Sequence, residues 1–266
     1  MTDEKKRKVK SDYSQSMWQI WGISLFGGSM GQVLKIIEDW QREGKKKQWI
    51  ATVNPEFVMA AQKDQNFKEI LQKTSLNVVD GVGLVWAKEV EKGGFGKGLK
   101  IAWEVLRGKH RESLVPGVEL MKKMVETAAE KGKKVYLLGG WGNRAEKTAR
   151  YFEEMYKGLK IGWSKGEPEV KNEEVVRKIN EFEPDFLFVA YGMKKQEEWI
   201  EKNLKNLDVG LAMGVGRSFD YLSGELKRAP GWVRKMGMEW LYSLLMEPKR
   251  GRRQVELVRF VGKVLN

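Results

Sequence analysis

The chain has no cysteine and a single histidine among its 266 residues. Without cysteine there is no disulfide, no thiolate nucleophile and no cysteine-ligated zinc or iron–sulfur centre. With His110 alone, neither a histidine-based catalytic triad nor a multi-histidine metal site can be assembled. Proton transfer falls instead to carboxylates, lysine or tyrosine. His110 stands between Lys109 and Arg111 in a charged run and reads as a surface residue. No apolar run approaches the roughly 18–20 residues that a membrane span requires. The opening MTDEKKRKVK is charged, with no apolar core behind it, so a secretory leader is not expected. Residues 1–14 read as a disordered basic tail.

Positive charge is plentiful. The net charge is +13, and from Lys227 to Asn266 ten Lys/Arg stand against three Glu, a net of +7. So uneven a distribution implies an anionic partner: nucleic acid, phospholipid headgroups or a diphosphate. Two basic stretches also carry large apolar side chains. Glu91–Ser113 is rich in glycine and then amphipathic, with Leu99, Ala102, Trp103 and Leu106 on one helical face beside Lys100, Arg107 and Lys109. Gly231–Met246 holds Trp232, Val233, Met236, Trp240, Leu241, Leu244 and Leu245. A basic face beside Trp and Leu suits a helix lying on an anionic membrane surface. The same pattern serves a helix packed on the core or on another subunit of a homo-oligomer, and both readings stay open. Nucleic-acid binding rests on charge alone and is not expected.

Between these stretches, apolar and amphipathic segments alternate. Trp49–Val53, Asn77–Val79, Lys134–Leu138, Asp185–Ala190 and Val209–Met213 read as strands. Pro55 opens a helix, and Val118–Lys131 and Arg144–Tyr156 have helical period. Strands separated by helices predict an α/β fold with a parallel or mostly parallel sheet flanked by helices. The expected division is a core over residues 15–226 and a basic helical C-terminal appendage over 227–266.

Polar residues recur where the apolar runs end: Thr52 and Asn54 in TVNPEF, Asp80 in VVDGVG, Gln196 in YGMKKQEEW and Asp220 in GVGRSFD. In open α/β sheets, ligands bind at the carboxyl ends of the strands. One shared polar pocket, suited to a phosphorylated small molecule, is the expectation. Asp80, followed by Gly81 and Gly83, is a general base or a helix cap, and the two roles are compatible. Thr52 and Asn54 hold a sugar hydroxyl or phosphate, or close a turn. Gln196 reads a base edge or phosphate, or is a first-turn surface residue. Gly140–Ala145 matches a loose G-x-G-x-x-A phosphate loop. No persuasive ribose-binding acid follows it, so a dinucleotide oxidoreductase is a minor alternative.

TVNPEF, VVDGVGLVWA, YGMKKQEEWI, GVGRSFDYLSGELKRAP and EWLYSLLMEPKR, in this order, resemble the WecG/TagA/CpsF glycosyltransferases over nearly the whole chain. The resemblance implies a Rossmann-like fold and an inverting, metal-independent transferase with no cofactor. Its donor would be a UDP-sugar and its acceptor a polyprenyl-diphosphate-linked sugar. N-acetylmannosamine transfer to lipid-linked N-acetylglucosamine, as in wall teichoic acid synthesis, is the first expectation. N-acetylmannosaminuronic acid or a hexose as donor sugar, or a non-catalytic glycan-binding protein, are the alternatives. The implied location is the cytoplasmic face of the membrane, held peripherally. By motif, Asp80 matches the catalytic base, Thr52 and Asn54 positions near the sugar and base, and Gln196 the donor-pocket glutamine. Asp220 matches an acid near the nucleotide, and Gly139 and Gly140 a double glycine. Arg228, Arg250 and Arg253 of the basic tail are the implied diphosphate partners.

The chain departs from the family pattern at four places. Lys194 stands where proline is usual, Arg217 where glycine is usual, and Ser243 and Leu114 where arginine is usual. The missing arginine at Leu114 leaves a diphosphate contact to be supplied from elsewhere, with Arg111 or Arg107 as the nearby substitutes. The Glu91–Ser113 segment is also longer than the pattern.

Overall fold

The computed structural model describes residues 16–93, 95–166, 172–246 and 251–265. Its strands are β1 (Met17–Ile20), β2 (Ile23–Phe26), β3 (Gln48–Val53), β4 (Leu76–Val79), β5 (Lys134–Gly139), β6 (Lys160–Ser164), β7 (Phe186–Ala190) and β8 (Leu211–Gly214). They form one eight-stranded sheet in the order β1-β2-β4-β3-β8-β7-β5-β6. Only the β1–β2 pair is antiparallel; the other neighbours run parallel. The fold is therefore the mixed α/β class that the alternation predicts, with a mostly parallel sheet.

Helices α1 (Met30–Arg42), α2 (Pro55–Lys63), α3 (Gln65–Gln72), α4 (Val82–Gly93), α5 (Gly98–Leu106), α6 (Gly117–Lys131) and α7 (Arg144–Met155) come from the first part of the chain. They are followed by α8 (Asn172–Phe182), α9 (Lys195–Asn203), α10 (Ser218–Leu222), α11 (Gly231–Lys235), α12 (Glu239–Met246) and α13 (Gly251–Leu265). Local chemistry fixes several starts. Ser29 and Gln32 form a reciprocal capping box at α1. Asn54 caps α2, with Pro55 as its first residue. The Gly231–Met246 stretch is two helices, because the turn between them passes through Gly237 at φ +71°.

Helices cover both faces of the sheet, so its central strands are buried throughout and read as continuous apolar runs. Alternate residues of a strand feed opposite layers. Leu137 of β5 packs with Leu120, Met124 and Phe152. Its neighbours Tyr136 and Leu138 pack with Ile179, Trp199 and Ile200. A further layer joins Ala51 and Val53 to Phe57, Phe67, Leu84 and Ile101. Phe260 of α13 is buried in that same layer, so the C-terminal helix is part of the core packing. Among the described residues, no helix is long and apolar enough to cross a membrane.

Candidate active site

A cavity of about 330 Å³ opens at the carboxyl ends of β3, β4, β5, β7 and β8. It straddles the seam where β3 pairs with β8, joining the β3–β4 half of the sheet to the β5–β8 half. This is the crevice position that open α/β sheets provide.

Asp80 follows β4 directly and lines this cavity. Its backbone N–H donates to the Val53 carbonyl at 2.7 Å, fixing it beside the end of β3. Val115 donates to the Val79 carbonyl at 2.8 Å, which draws the segment before α6 alongside β4. Gly117, the first residue of α6, then donates its N–H to the Asp80 carboxylate. Glycine suits so close an approach, since a side chain here would push its neighbours back by a few tenths of an ångström. A Cβ at 117 would stand 3.2 Å from Thr52 Oγ1 and 3.4 Å from Asp80 Oδ2. The carboxylate is open to the cavity on one side and enclosed by protein elsewhere. Burial pushes its pKa up to about 7, Glu239 adds to the rise, and the Gly117 N–H and Arg228 oppose it.

The other strand-end residues meet at the same cavity, and most also have local structural duties. Thr52 Oγ1 lies 3.5 Å from the Gly214 carbonyl. Asn54 Oδ1 accepts from the N–H groups of Glu56 (2.9 Å) and Phe57 (3.2 Å), so the side chain's N–H is what it can offer a ligand. Gln196 is buried; its Oε1 accepts from the Gly216 N–H at 2.9 Å and its Nε2 donates to Glu197 at 2.8 Å. Glu197 also accepts from the Lys194 N–H at 2.8 Å and is wholly buried, which pushes its pKa up to about 7. Gln196 and Glu197 thus tie the loop after β7 to the loop after β8. Asp220 accepts from Arg144 at 2.8 Å and from Arg217 at 3.4 Å. Gly140 lines the cavity, whereas Gly139, at φ +92°, forms the turn behind it, packed on Tyr191.

The C-terminal segment contributes one wall through Arg228 and Glu239. Arg228 is bound to both Glu239 (3.1 Å) and Glu119, and Arg234 reaches the same Glu119 at 3.1 Å. Arg250 and the side chain of Arg253 lie outside the described residues. Arg111 does not line the cavity. It donates to the carbonyls of Val105 (2.8 Å), Leu106 (3.1 Å) and Lys235, clasping the end of α5 to the end of α11. Arg107 lies over the Trp103 ring at 4.6 Å. Neither supplies a cavity arginine in place of Leu114, which packs into the apolar layer. His110 stays clear of the cavity, between Glu104 (3.2 Å) and Glu89 (3.6 Å).

Sequence reasoning did not single out Arg144, Tyr191, Arg217, Glu239 or Trp141 as site residues, yet all five line the cavity. Arg144 was visible inside the G-x-G-x-x-A loop, and Tyr191 beside Gly192. Glu239 carried no local signal. The Lys194 departure has a structural counterpart. Its φ is +72° and its ψ −56°, a conformation that proline, locked near −65°, cannot take. Lys194→Gly is expected to relieve strain and raise stability by about 1 kcal/mol, a shift of about 2–4 °C in thermal unfolding. The exposed Lys194–Asp64 ion pair that it removes (2.6 Å) offsets little of this.

The chain matches the sequence pattern described as "Glycosyl transferase WecG/TagA/CpsF family" over residues 18–94 and 95–266. It is 31% identical, over 246 residues, to a protein of Staphylococcus aureus strain MW2 named N-acetylglucosaminyldiphosphoundecaprenol N-acetyl-beta-D-mannosaminyltransferase. That alignment covers 92% of this chain and 91% of the relative. The protein of the same name from strain NCTC 8325 / PS 47 is 30% identical over the same shares. A two-halved α/β crevice holding an acid at the end of β4, joined to these matches along nearly its whole length, makes this chain a member of the WecG/TagA/CpsF family of glycosyltransferases.

Proposed function

We propose that this glycosyltransferase moves an N-acetylhexosamine-type sugar from a UDP-sugar to a polyprenyl-diphosphate-linked N-acetylglucosamine, with N-acetylmannosamine as the first donor sugar to test. The names of the Staphylococcus aureus relatives support the transferred sugar and the acceptor. The observation that carries the mechanism is Asp80, an enclosed carboxylate at the cavity wall with a pKa of about 7. A base of that pKa is half ionised near neutrality and is matched to taking a proton from an acceptor hydroxyl. The deprotonated oxygen attacks the anomeric carbon from the face opposite the leaving UDP, so the configuration inverts. Thr52 and the Asn54 N–H are placed to orient the sugar from the end of β3. Charge developing on the leaving diphosphate is neutralised by arginine rather than by a metal ion.

Membrane contact belongs to the same proposal. Leu99 is 90% exposed, Trp103 58%, Trp232 66% and Leu245 72%, an unusual display of large apolar groups. Basic residues Lys97, Lys100, Arg107 and Lys235 accompany them. Arg111 couples α5 to α11, so the two exposed sets lie on adjoining elements. This supports peripheral attachment to an anionic membrane surface, where a lipid-linked acceptor resides.

The test is UDP release from a panel of UDP-sugars, with and without a soluble lipid-diphosphate-N-acetylglucosamine analogue. Acceptor-dependent release with one donor is expected, at a rate that a chelator such as EDTA leaves unchanged. UDP binding without release from any donor favours a non-catalytic glycan-binding protein instead. A chelator-sensitive rate removes the metal-independent mechanism.

A further inference from the structure

Arg144 and Arg217 grip one carboxylate from two different loops. Arg144 begins α7, at the end of the glycine-rich turn that follows β5. Arg217 follows Gly216 after β8. Both side chains line the cavity and both are bonded to Asp220. Arg144 donates through Nη1, and the same planar guanidinium carries further donors on its other nitrogens. Asp220 is 13% exposed, against 25% for Arg144 and 20% for Arg217, so the carboxylate is the most enclosed of the three cavity-lining groups. A second observation points to an anion at this corner. The turn leading into α7 passes through Gly139, Gly140 and Gly142, all at positive φ, and the first turn of α7 has no side-chain cap. A guanidinium fork beside uncapped backbone N–H groups is an arrangement that binds phosphate oxygens.

The geometry points to Arg144 and Arg217, aimed by Asp220, as the subsite that takes the diphosphate of the nucleotide donor. The assignment rests on the UDP-sugar reading given above. It makes Asp220 a positioning residue: its charge opposes the ligand's, and its value lies in holding two guanidinium groups in one orientation. It also divides the work among the cavity cations. Arg228 is committed to Glu119 and Glu239 on the Asp80 side. Arg144 and Arg217 serve the wall formed by the β5 and β8 loops. They provide within the core a cationic contact that Leu114 cannot.

A diphosphate is present in both a nucleotide donor and a lipid-linked acceptor, so the test must separate the two. Titration calorimetry would follow UDP, uridine, GDP and a short prenyl diphosphate binding to the wild type and to Arg144→Met, Arg217→Met and Asp220→Asn. Arg150→Met, an exposed arginine on α7 bonded to Glu146, is the control, and melting curves verify folding of every variant. Each arginine variant is expected to lose about tenfold or more of the wild type's UDP affinity while uridine affinity is unchanged. Asp220→Asn separates positioning from charge. If Asp220 aims the arginines, UDP binds more weakly despite the lost negative charge; tighter UDP binding overturns the assignment. Unchanged UDP affinity in both arginine variants also overturns it. So does a loss confined to the prenyl diphosphate, which would give this corner to the acceptor. If GDP binds as well as UDP and both are lost in the arginine variants, the diphosphate clamp stands and the uridine specificity of the donor reading falls.

Discussion

Asp80→Asn is expected to lower turnover by about 10²–10⁴-fold while leaving UDP affinity near the wild-type value. Asparagine keeps the shape and can still accept the Gly117 N–H, so the cavity should not collapse; what disappears is the ability to take a proton. The wild-type rate should rise with pH to a plateau above about 7, where the carboxylate is ionised. The residual rate of the variant should lack that limb. Stability should move the other way. A carboxyl whose folded pKa is raised from 3.8 to about 7 favours the folded state fully below 3.8, and that contribution is lost as pH rises through 7. At pH 8 the wild type therefore holds an unfavourable enclosed charge that Asp80→Asn lacks. The variant should melt higher than the wild type at pH 8, and the advantage should shrink toward pH 5. Turnover within about threefold of wild type would remove Asp80 from the role of base.

Glu197→Ala should be strongly damaging although Glu197 is not one of the reacting groups. Glu197 touches no solvent, yet it terminates a hydrogen-bond chain running from the Gly216 N–H through Gln196 to the Lys194 N–H. Truncation strands one buried and one part-buried donor and leaves a void below the β8 loop. The expected loss is about 3 kcal/mol, or about 6–12 °C in thermal unfolding. The loss should be largest in acid. Because the folded pKa of Glu197 is raised to about 7, its stabilising contribution is present below 4.5 and fades as pH rises through 7. Gly216 and Gln196 line the cavity, so UDP binding should weaken as well. Melting curves of both proteins at pH 5 and pH 8 check the magnitude and its pH trend. A variant that melts with the wild type at both values would mean the chain of bonds is dispensable.

What could be read in advance follows a physical division. Asp80, Thr52 and Asn54 were legible because they stand at the ends of apolar strands, and Gln196 and Asp220 because they open the helices that follow β7 and β8; parallel sheets bring such ends together at one edge. The central strands were legible for a related reason, since burial on both faces leaves an unbroken apolar run. Glu197 was not legible. In KKQEEW it looks like one of several charged residues in a solvated first turn, and only the packing of α9 under the β8 loop makes it a buried anchor. Glu239 was hidden because its place depends on its bond to Arg228, eleven residues earlier. The β1–β2 hairpin escaped notice because its turn uses Trp21 at φ +48° before Gly22 at φ +83°. Tryptophan rarely occupies that region, and nothing about it announces a hairpin. Strand β6 lies at the edge, half exposed and short, with no sustained alternation to mark it.

The burial of Phe260 bears on how the molecule is made. The layer it completes is built mostly from residues between Ile20 and Val105, which leave the ribosome long before α13 is synthesised. Until then, the surfaces of α2 and α4 that receive α13 have no cover, and the nascent chain carries an apolar slot beside its active-site strands. Helix α13 closes that slot late, and a chain released before residue 260 is made would have Asp80 in place but this layer unsealed. Such a product would carry the exposed apolar surface that chaperones and proteases act on, so the burial of one late aromatic ring ties the solubility of the early half of the chain to the synthesis of α13.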